Sequence, residues 1–302
     1  MFAAIVRKRL RAALPKRTLG CAIQETYAAA LLVRGGPRGW LVEWAADGAL
    51  DNRRFLHAVA GRAWLRDFWA TPTRGGSAQK DFAFAVETPD GEIASLGSRT
   101  KSLLLKTQVE RRYPVVIEPI VMTGEEVQGP DGVHFVGGGS IKARIEDDIR
   151  LWRRLVGARR PHIASPAAAL ANVYLSLYPE ASRKATPCRI LVAEGEIVTA
   201  AVLDGWRLVD SVEYQMLEGQ RVTAALVGQW RDFVRSGHPD APLDPVPLVI
   251  GDGSRTDLRD GLEIWNPFAG PRVRVKGVAA PTVTRHSGAS AIALGMAMQG
   301  SD

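Results

Sequence analysis

The stretch "CRILVAEGEIVTAAVLDGWRLVD", Cys188–Asp210, decides the fold. Its apolar runs are short and rich in β-branched residues, and two tight turns, Glu194-Gly195-Glu196 and Asp204-Gly205-Trp206, divide them. That pattern predicts three strands in succession. Downstream, Val222, Leu226, Trp230 and Val234 recur at helical spacing, predicting a helix from about Glu218 to Ser236. A Pro-rich loop, "GHPDAPLDPVP", leads to a strand "LVIGDGS"; another helix, a strand "PRVRVKG" and a closing helix "GASAIALGMAMQG" complete the chain.

The segment upstream has the same order. "LGCAIQETYAAALLVRGGPRGWLVEWAA" reads as two strands around the turn at 35–39, and "DNRRFLHAVAGRAWLRDFWA" as a helix capped by Asp51 or Asn52, with Phe55, Val59 and Leu65 among its apolar contacts. "DFAFAVETPDGEIAS" reads as a hairpin, and "YPVVIEPIVM" and "GVHFV" as strands separated by a polar loop. Ile141, Ile145, Ile149, Trp152 and Val156 then mark an amphipathic helix with Ser140 as its cap. Arg159-Arg160-Pro161 stops that helix, "HIAS" is extended, and a second helix runs from about Pro166 to Tyr178. The block "ASRKATP" separates the halves. Three segments follow: a basic tail at 1–17, a first half at 18–180 and a second at 181–302, whose last helix is free to pack back near the first half. The fold class is α/β, with two mixed-sheet halves flanked by helices.

The chain has 302 residues, 46% hydrophobic and 24% charged, as expected of a globular protein. Of its net charge of +7, six basic residues sit in the tail: Arg7, Lys8, Arg9, Arg11, Lys16 and Arg17. Setting those six aside leaves 33 basic against 32 acidic residues, so the body is nearly neutral. No basic stripe with interleaved aromatics runs along the body, and no nucleic-acid partner is expected. Phe2, Ile5, Val6, Leu10 and Leu14 fall near one side of a helical tail, which reads either as a contact for anionic lipid or a neighbouring subunit, or as a solvated end. The two cysteines, Cys21 and Cys188, have no metal spacing and fit a reduced cytosolic compartment.

Other chemistry finds little support. His57, His134, His162, His238 and His286 are scattered, so no metal site is expected. No GxSxG elbow is present and no catalytic residue is assigned. Gly137-Gly138-Gly139-Ser140, ahead of a helix, reads as a flexible turn or an anion cradle. Glu146, Asp147 and Asp148 read as a solvated acidic face.

Four segments carry a resemblance: the opening "MFAAIVRKRL" with "LGCAIQETYAAALLV", the connection "SIKARIEDDIRLWRRLVGARRPHIASPAAALANVYL", the segment "IWNPFAGPRVRV", and the closing "SGASAIALGMAMQG". Together they resemble the PilM family of pilus-assembly proteins in the actin-like ATPase superfamily, with the cytoplasmic domains of type II secretion platform proteins as relatives. The resemblance implies a duplicated actin-like (ribonuclease H-like) fold with reduced insertions. It also implies a place in type IV pilus or type II secretion assembly, on the cytoplasmic face of the inner membrane, gripping the peptide of a membrane-anchored, PilN-like partner. In that reading Trp64, Phe68 and Trp69 are either core or an anchor for the partner's peptide.

The resemblance implies an ATP site between the halves, built from an Asp-x-Gly turn near the start, an Asp-x-Gly-x-x-x-Thr turn facing it, and a Gly-Gly against adenosine. Here the first aligns with Ala22-Ile23-Gln24 and the second with the shortened Glu194-Gly195-Glu196 turn. Magnesium needs a carboxylate to hold its water shell, and backbone amides approach phosphate closely only where glycine opens the turn. The first turn has neither, and at the second, shortened turn Glu194 and Glu196 would repel a phosphate that they faced, so the expectation is a non-catalytic scaffold with no cofactor. Gly251, Gly253 and Ser254 remain as a vestigial adenosine-side turn, or as a plain strand-to-helix turn capped by Ser254. The alternative is a divergent nucleotide-binding ATPase or kinase of the same superfamily.

Overall fold

The computed structural model describes residues 17–24, 26–36, 39–63, 67–71, 82–85, 120–129, 132–182, 188–205, 207–215, 224–237, 247–250, 262–276 and 287–299. The tail residues Arg7, Lys8, Arg9, Arg11 and Lys16, together with Trp64, Gly251, Gly253 and Ser254, lie outside these ranges.

Two sheets share one topology. In the first, β1 (Arg17–Ile23), β2 (Tyr27–Gly36) and β3 (Gly39–Ala49) form an antiparallel meander. Helix α1 (Arg53–Ala63) then returns the chain to β4 (Asp67–Ala70), parallel to β1. In the second, β9 (Arg189–Ala193), β10 (Ile197–Asp204) and β11 (Arg207–Gln215) repeat the meander, and α4 (Ala224–Gly237) leads to β12 (Leu248–Ile250), parallel to β9. A fifth parallel strand follows in each, β8 (Pro161–Ile163) beside β4 and β13 (Glu263–Ile264) beside β12. The spatial orders β3-β2-β1-β4-β8 and β11-β10-β9-β12-β13 therefore superpose element for element. The chain returns to the first sheet through β14 (Val273–Val275), parallel to β3.

Between β4 and β8 a third sheet of β5 (Phe82–Ala85), β6 (Ile120–Gly129) and β7 (Gly132–Ile141) precedes α2 (Lys142–Val156). Helix α3 (Pro166–Leu177) ends the first half, and α5 (Ser287–Gln299) ends the described chain.

The layers follow from strand alternation. On β1 and β2, Leu19, Cys21, Ile23, Ala28, Ala30 and Leu32 turn outward to α1 and α2, where Phe55, Val59, Trp152 and Val156 cover them. Ala22, Ala29, Leu31 and Val33 turn inward to α3, α5 and the second sheet. The second sheet does likewise, with Ile190, Val192 and Val198 packing toward Val227 of α4, and Leu191, Ala193 and Leu203 toward the centre. Helix α5 is apolar around its whole circumference, which suits an element buried on every side. Each of its large side chains, Ile292, Leu294, Met296 and Met298, contributes roughly 1.5–3 kcal/mol of burial.

Several expectations need correction. The first apolar stretch contains three strands rather than two, because Gln24 to Thr26 turn the chain between β1 and β2. The helix expected over residues 51–70 ends at Ala63, and Phe68 and Trp69 lie on strand β4. Gly137, Gly138 and Gly139 sit within β7 and pair with β5 and β6, so this segment is no anion cradle at a helix start. Ser140 also belongs to β7, and α2 begins at Lys142. Glu146 and Asp147 are exposed and pair with Arg150, whereas Asp148 is buried. The cap of α1 is Asn52, whose Oδ1 accepts from the amide of Arg54 at 2.9 Å.

Candidate functional site

The duplicated topology brings the first turn of each meander face to face with the other. One is the β1–β2 turn, closed by the amide of Gln24 donating to the carbonyl of Tyr27 at 2.7 Å. The other is Glu194-Gly195-Glu196, between β9 and β10.

The two turns are joined directly. The carboxylate of Glu196 accepts from the backbone amides of Thr26, at 2.8 Å, and Tyr27, at 3.2 Å. It also accepts from the Thr26 hydroxyl. In return, Oε1 of Gln24 accepts from the amide of Ile197 at 2.7 Å. Gln24 is only 4% exposed, so this bond forms away from water, where leaving the Ile197 amide unmet would be expensive. Gly195 makes room for it, since a Cβ there would lie 2.6 Å from Gln24 Oε1.

Three further elements hold the turns in place. Thr71, just after β4, is 1% exposed, and its Oγ1 accepts from the amide of Ile23 at 2.7 Å. The amide of Glu194 donates to the carbonyl of Ile250 at 2.9 Å, tying the second turn to the end of β12. The start of α5 abuts the same turn, and a Cβ on Gly288 would lie 1.8 Å from the Glu194 carbonyl oxygen.

Two backbone amides and a hydroxyl converging on one point make an arrangement suited to an anion. Here the anion is the chain's own carboxylate. The negative charge on Glu196 is therefore matched by donors. Thr26, Thr71 and Gly288 escape sequence reasoning because nothing in their local pattern reports a partner so distant in the chain.

The remaining candidates divide. Arg17 is at the start of β1 and pairs with Glu43 at 2.8 Å. Phe68 is fully buried, packing on Trp152 at 4.9 Å between ring centroids, as a core residue does. Trp69 points to the opposite face of β4, where its ring is half-buried and stacks on His162 at 4.6 Å. No group of three or more His, Cys, Asp or Glu residues fit for a metal occurs among the described residues. Both thiols have raised pKa values: Cys21 is pushed up to about 12 by burial, and Cys188 to about 11 by burial first and then by the charge and hydrogen bond of Asp204. The raised values disfavour the thiolate, the nucleophilic form, at both positions. Among the described residues no helix is long and apolar enough to cross a membrane.

No family model matches the chain, and no curated protein matches it. Solved structures do. A chain of the PilM-PilN type IV pilus biogenesis complex is similar at 14% identity and a TM-score of 0.62, over 94% of this chain and 98% of that one. A Bacteroides thetaiotaomicron protein of unknown function with an actin-like ATPase fold is similar at 8% identity and a TM-score of 0.46, over 85% and 93%. An inorganic polyphosphate/ATP-glucomannokinase from Arthrobacter sp. strain KM reaches 11% identity and a TM-score of 0.42, over 94% and 98%. The fold is the actin-like ATPase fold in its duplicated form, as the repeated strand order and the first of these likenesses establish.

Proposed function

We propose that this protein is a non-catalytic actin-like scaffold in type IV pilus or type II secretion assembly. It would work at the cytoplasmic face of the inner membrane and hold the cytoplasmic peptide of a membrane-anchored, PilN-like partner. The observation that carries the non-catalytic part is the Glu196 carboxylate seated on the Thr26 and Tyr27 amides. In the resembled family the corresponding turns embrace a nucleotide's phosphates. Here the donors are already engaged, and a phosphate would have to displace a tethered carboxylate of like charge. Ala22, buried on β1, supplies no carboxylate for a metal. The partner assignment is supported by the likeness to a chain whose complex contains PilN. Of the three aromatic residues weighed as a peptide anchor, Trp69 is the described one that keeps some exposure.

Thermal melting of the purified protein with and without MgATP tests the first part. A scaffold with closed turns shows no shift at millimolar nucleotide. A rise of several degrees, the linkage effect of a ligand that binds the native state, returns the divergent ATPase or kinase reading. Co-purification with the N-terminal peptide of a single-span membrane protein encoded nearby tests the second.

A further inference from the structure

Strand register gathers charge at one end of the first sheet. β1, β4 and β8 run parallel, Thr18 beside Asp67 and Phe68 beside Pro161, so all three enter the sheet at this end. Arg17 is the first residue of β1 and lies opposite Arg34 of β2. Helix α2 reaches β8 through a short connection in which Gly157, at φ +65°, breaks the helix. Its last turn therefore lies at the same end, and there Arg153, Arg154, Arg159 and Arg160 are all exposed. Described carboxylates at this end include Glu43, which pairs with Arg17 and Arg34, and Asp67 at the start of β4. No acidic residue occurs between Ile149 and Pro179.

The helix dipole accounts for arginines in the last turn of α2. It accounts neither for Arg160 beyond the helix nor for Leu155, which is 37% exposed. Leu155 is one of two large hydrophobic residues left exposed among the described ones. An exposed leucine with arginines close by in the chain suits a phospholipid interface, where the leucine enters among the headgroups and the guanidinium groups meet phosphates. The aromatic rings nearby are engaged, Trp69 on His162 and Trp152 against Phe68, which leaves little for stacking nucleic-acid bases. The sixteen residues ahead of Arg17 add Arg7, Lys8, Arg9, Arg11 and Lys16 with no acid, and join the fold at this same end.

We propose that this end of the first sheet, centred on Leu155 and Arg153, Arg154, Arg159 and Arg160, docks on an anionic phospholipid surface. The surface stands independently of the scaffold reading, since it uses neither the two turns nor a protein partner.

Co-sedimentation of the full chain with phosphatidylcholine vesicles, with and without phosphatidylglycerol, tests it. The protein sediments with the anionic vesicles alone, and high salt releases it. Arg153→Gln with Arg154→Gln weakens binding about thirtyfold, at the usual contribution of a basic residue near an anionic surface. The matching Arg→Lys pair retains it, which separates charge from any effect on folding, and Leu155→Ala weakens it several-fold at every salt concentration. Absence of binding to anionic vesicles overturns the proposal. So does a full-length variant with Arg7, Lys8, Arg9 and Arg11 changed to Gln that loses all binding while the Arg153/Arg154 variant keeps it. Displacement from vesicles by equimolar duplex DNA also overturns it, in favour of a nucleic-acid surface.

Discussion

The carboxylate of Glu196 accepts a hydrogen bond from the backbone amide of Thr26 at 2.8 Å, across 170 positions of sequence. Glu196→Ala removes the acceptor for two amides and a hydroxyl, though the exposed turn lets water replace part of the loss. Stability to urea should fall by about 1–2 kcal/mol. Glu196→Gln keeps one carbonyl oxygen for the amides and should cost less. Equal losses for the two variants would mean that the carboxylate's charge, and not its geometry, makes the contact.

Helix α2 is held to the first sheet by Trp152 and Val156, and the ring is the larger contact. Trp152 is fully buried against Phe68, and its indole nitrogen meets no acceptor among the described residues. The ring therefore acts through its area. Trp152→Phe should cost only about 1–2 kcal/mol, while Trp152→Ala should cost about 3–5 kcal/mol by leaving a cavity. Chemical denaturation followed by circular dichroism measures both.

Much of this architecture is legible in the sequence, and the limits have physical causes. The short apolar runs in "CRILVAEGEIVTAAVLD" and the Gly-centred turn between them are local signals, and β9 and β10 follow them closely. Helix α5 is legible from its apolar run. The stretch after Ala63 is not, because Phe68 and Trp69 stand at helical spacing from Trp64 and Leu65, and only pairing with β1 and β8 makes Asp67–Ala70 a strand. Gly137–Gly139 misleads in the same way: glycine's freedom suggests a turn, but two neighbouring strands give those residues ladder partners. At the site, the departures at Ala22 and Gln24 are visible in the sequence. The contact that fills the space is not, since it depends on a register between halves that no local pattern encodes.

Both cysteines make the protein sensitive to alkali. Their folded pKa values are raised, to about 12 for Cys21 and about 11 for Cys188, above the ordinary value near 9. Above pH 9 the unfolded chain loses these protons while the folded chain keeps them, so stability falls as pH rises. The slope is about 1.4 kcal/mol per pH unit for each thiol, and it persists until the folded thiols ionise in turn. Urea midpoints at pH 8 and pH 10 should show the decline, and a Cys21→Ala, Cys188→Ala variant should flatten it. A thiol reagent at pH 8 should modify neither residue until the protein unfolds.

The last helix is seated by small residues against backbone, and this contact bears on the turns. A Cβ on Gly288 would lie 1.8 Å from the carbonyl oxygen of Glu194, and one on Gly295 would lie 2.0 Å from that of Ala169 on α3. Neither neighbour is a flexible side-chain tip that can swing aside. Gly288→Ala must move the helix start or push the Glu194-Gly195-Glu196 turn, and should cost about 1–3 kcal/mol or more. If the turn moves, the Glu196 bonds to Thr26 and Tyr27 are lost with it, so Gly288→Ala combined with Glu196→Ala should cost less than the sum of the two. Gly61 on α1 is the control: nothing lies within 4 Å of a Cβ there, and Gly61→Ala should raise stability by about 0.5–1 kcal/mol through helix propensity alone. Additive losses for Gly288→Ala and Glu196→Ala would place the strain in α5 and leave the two turns undisturbed.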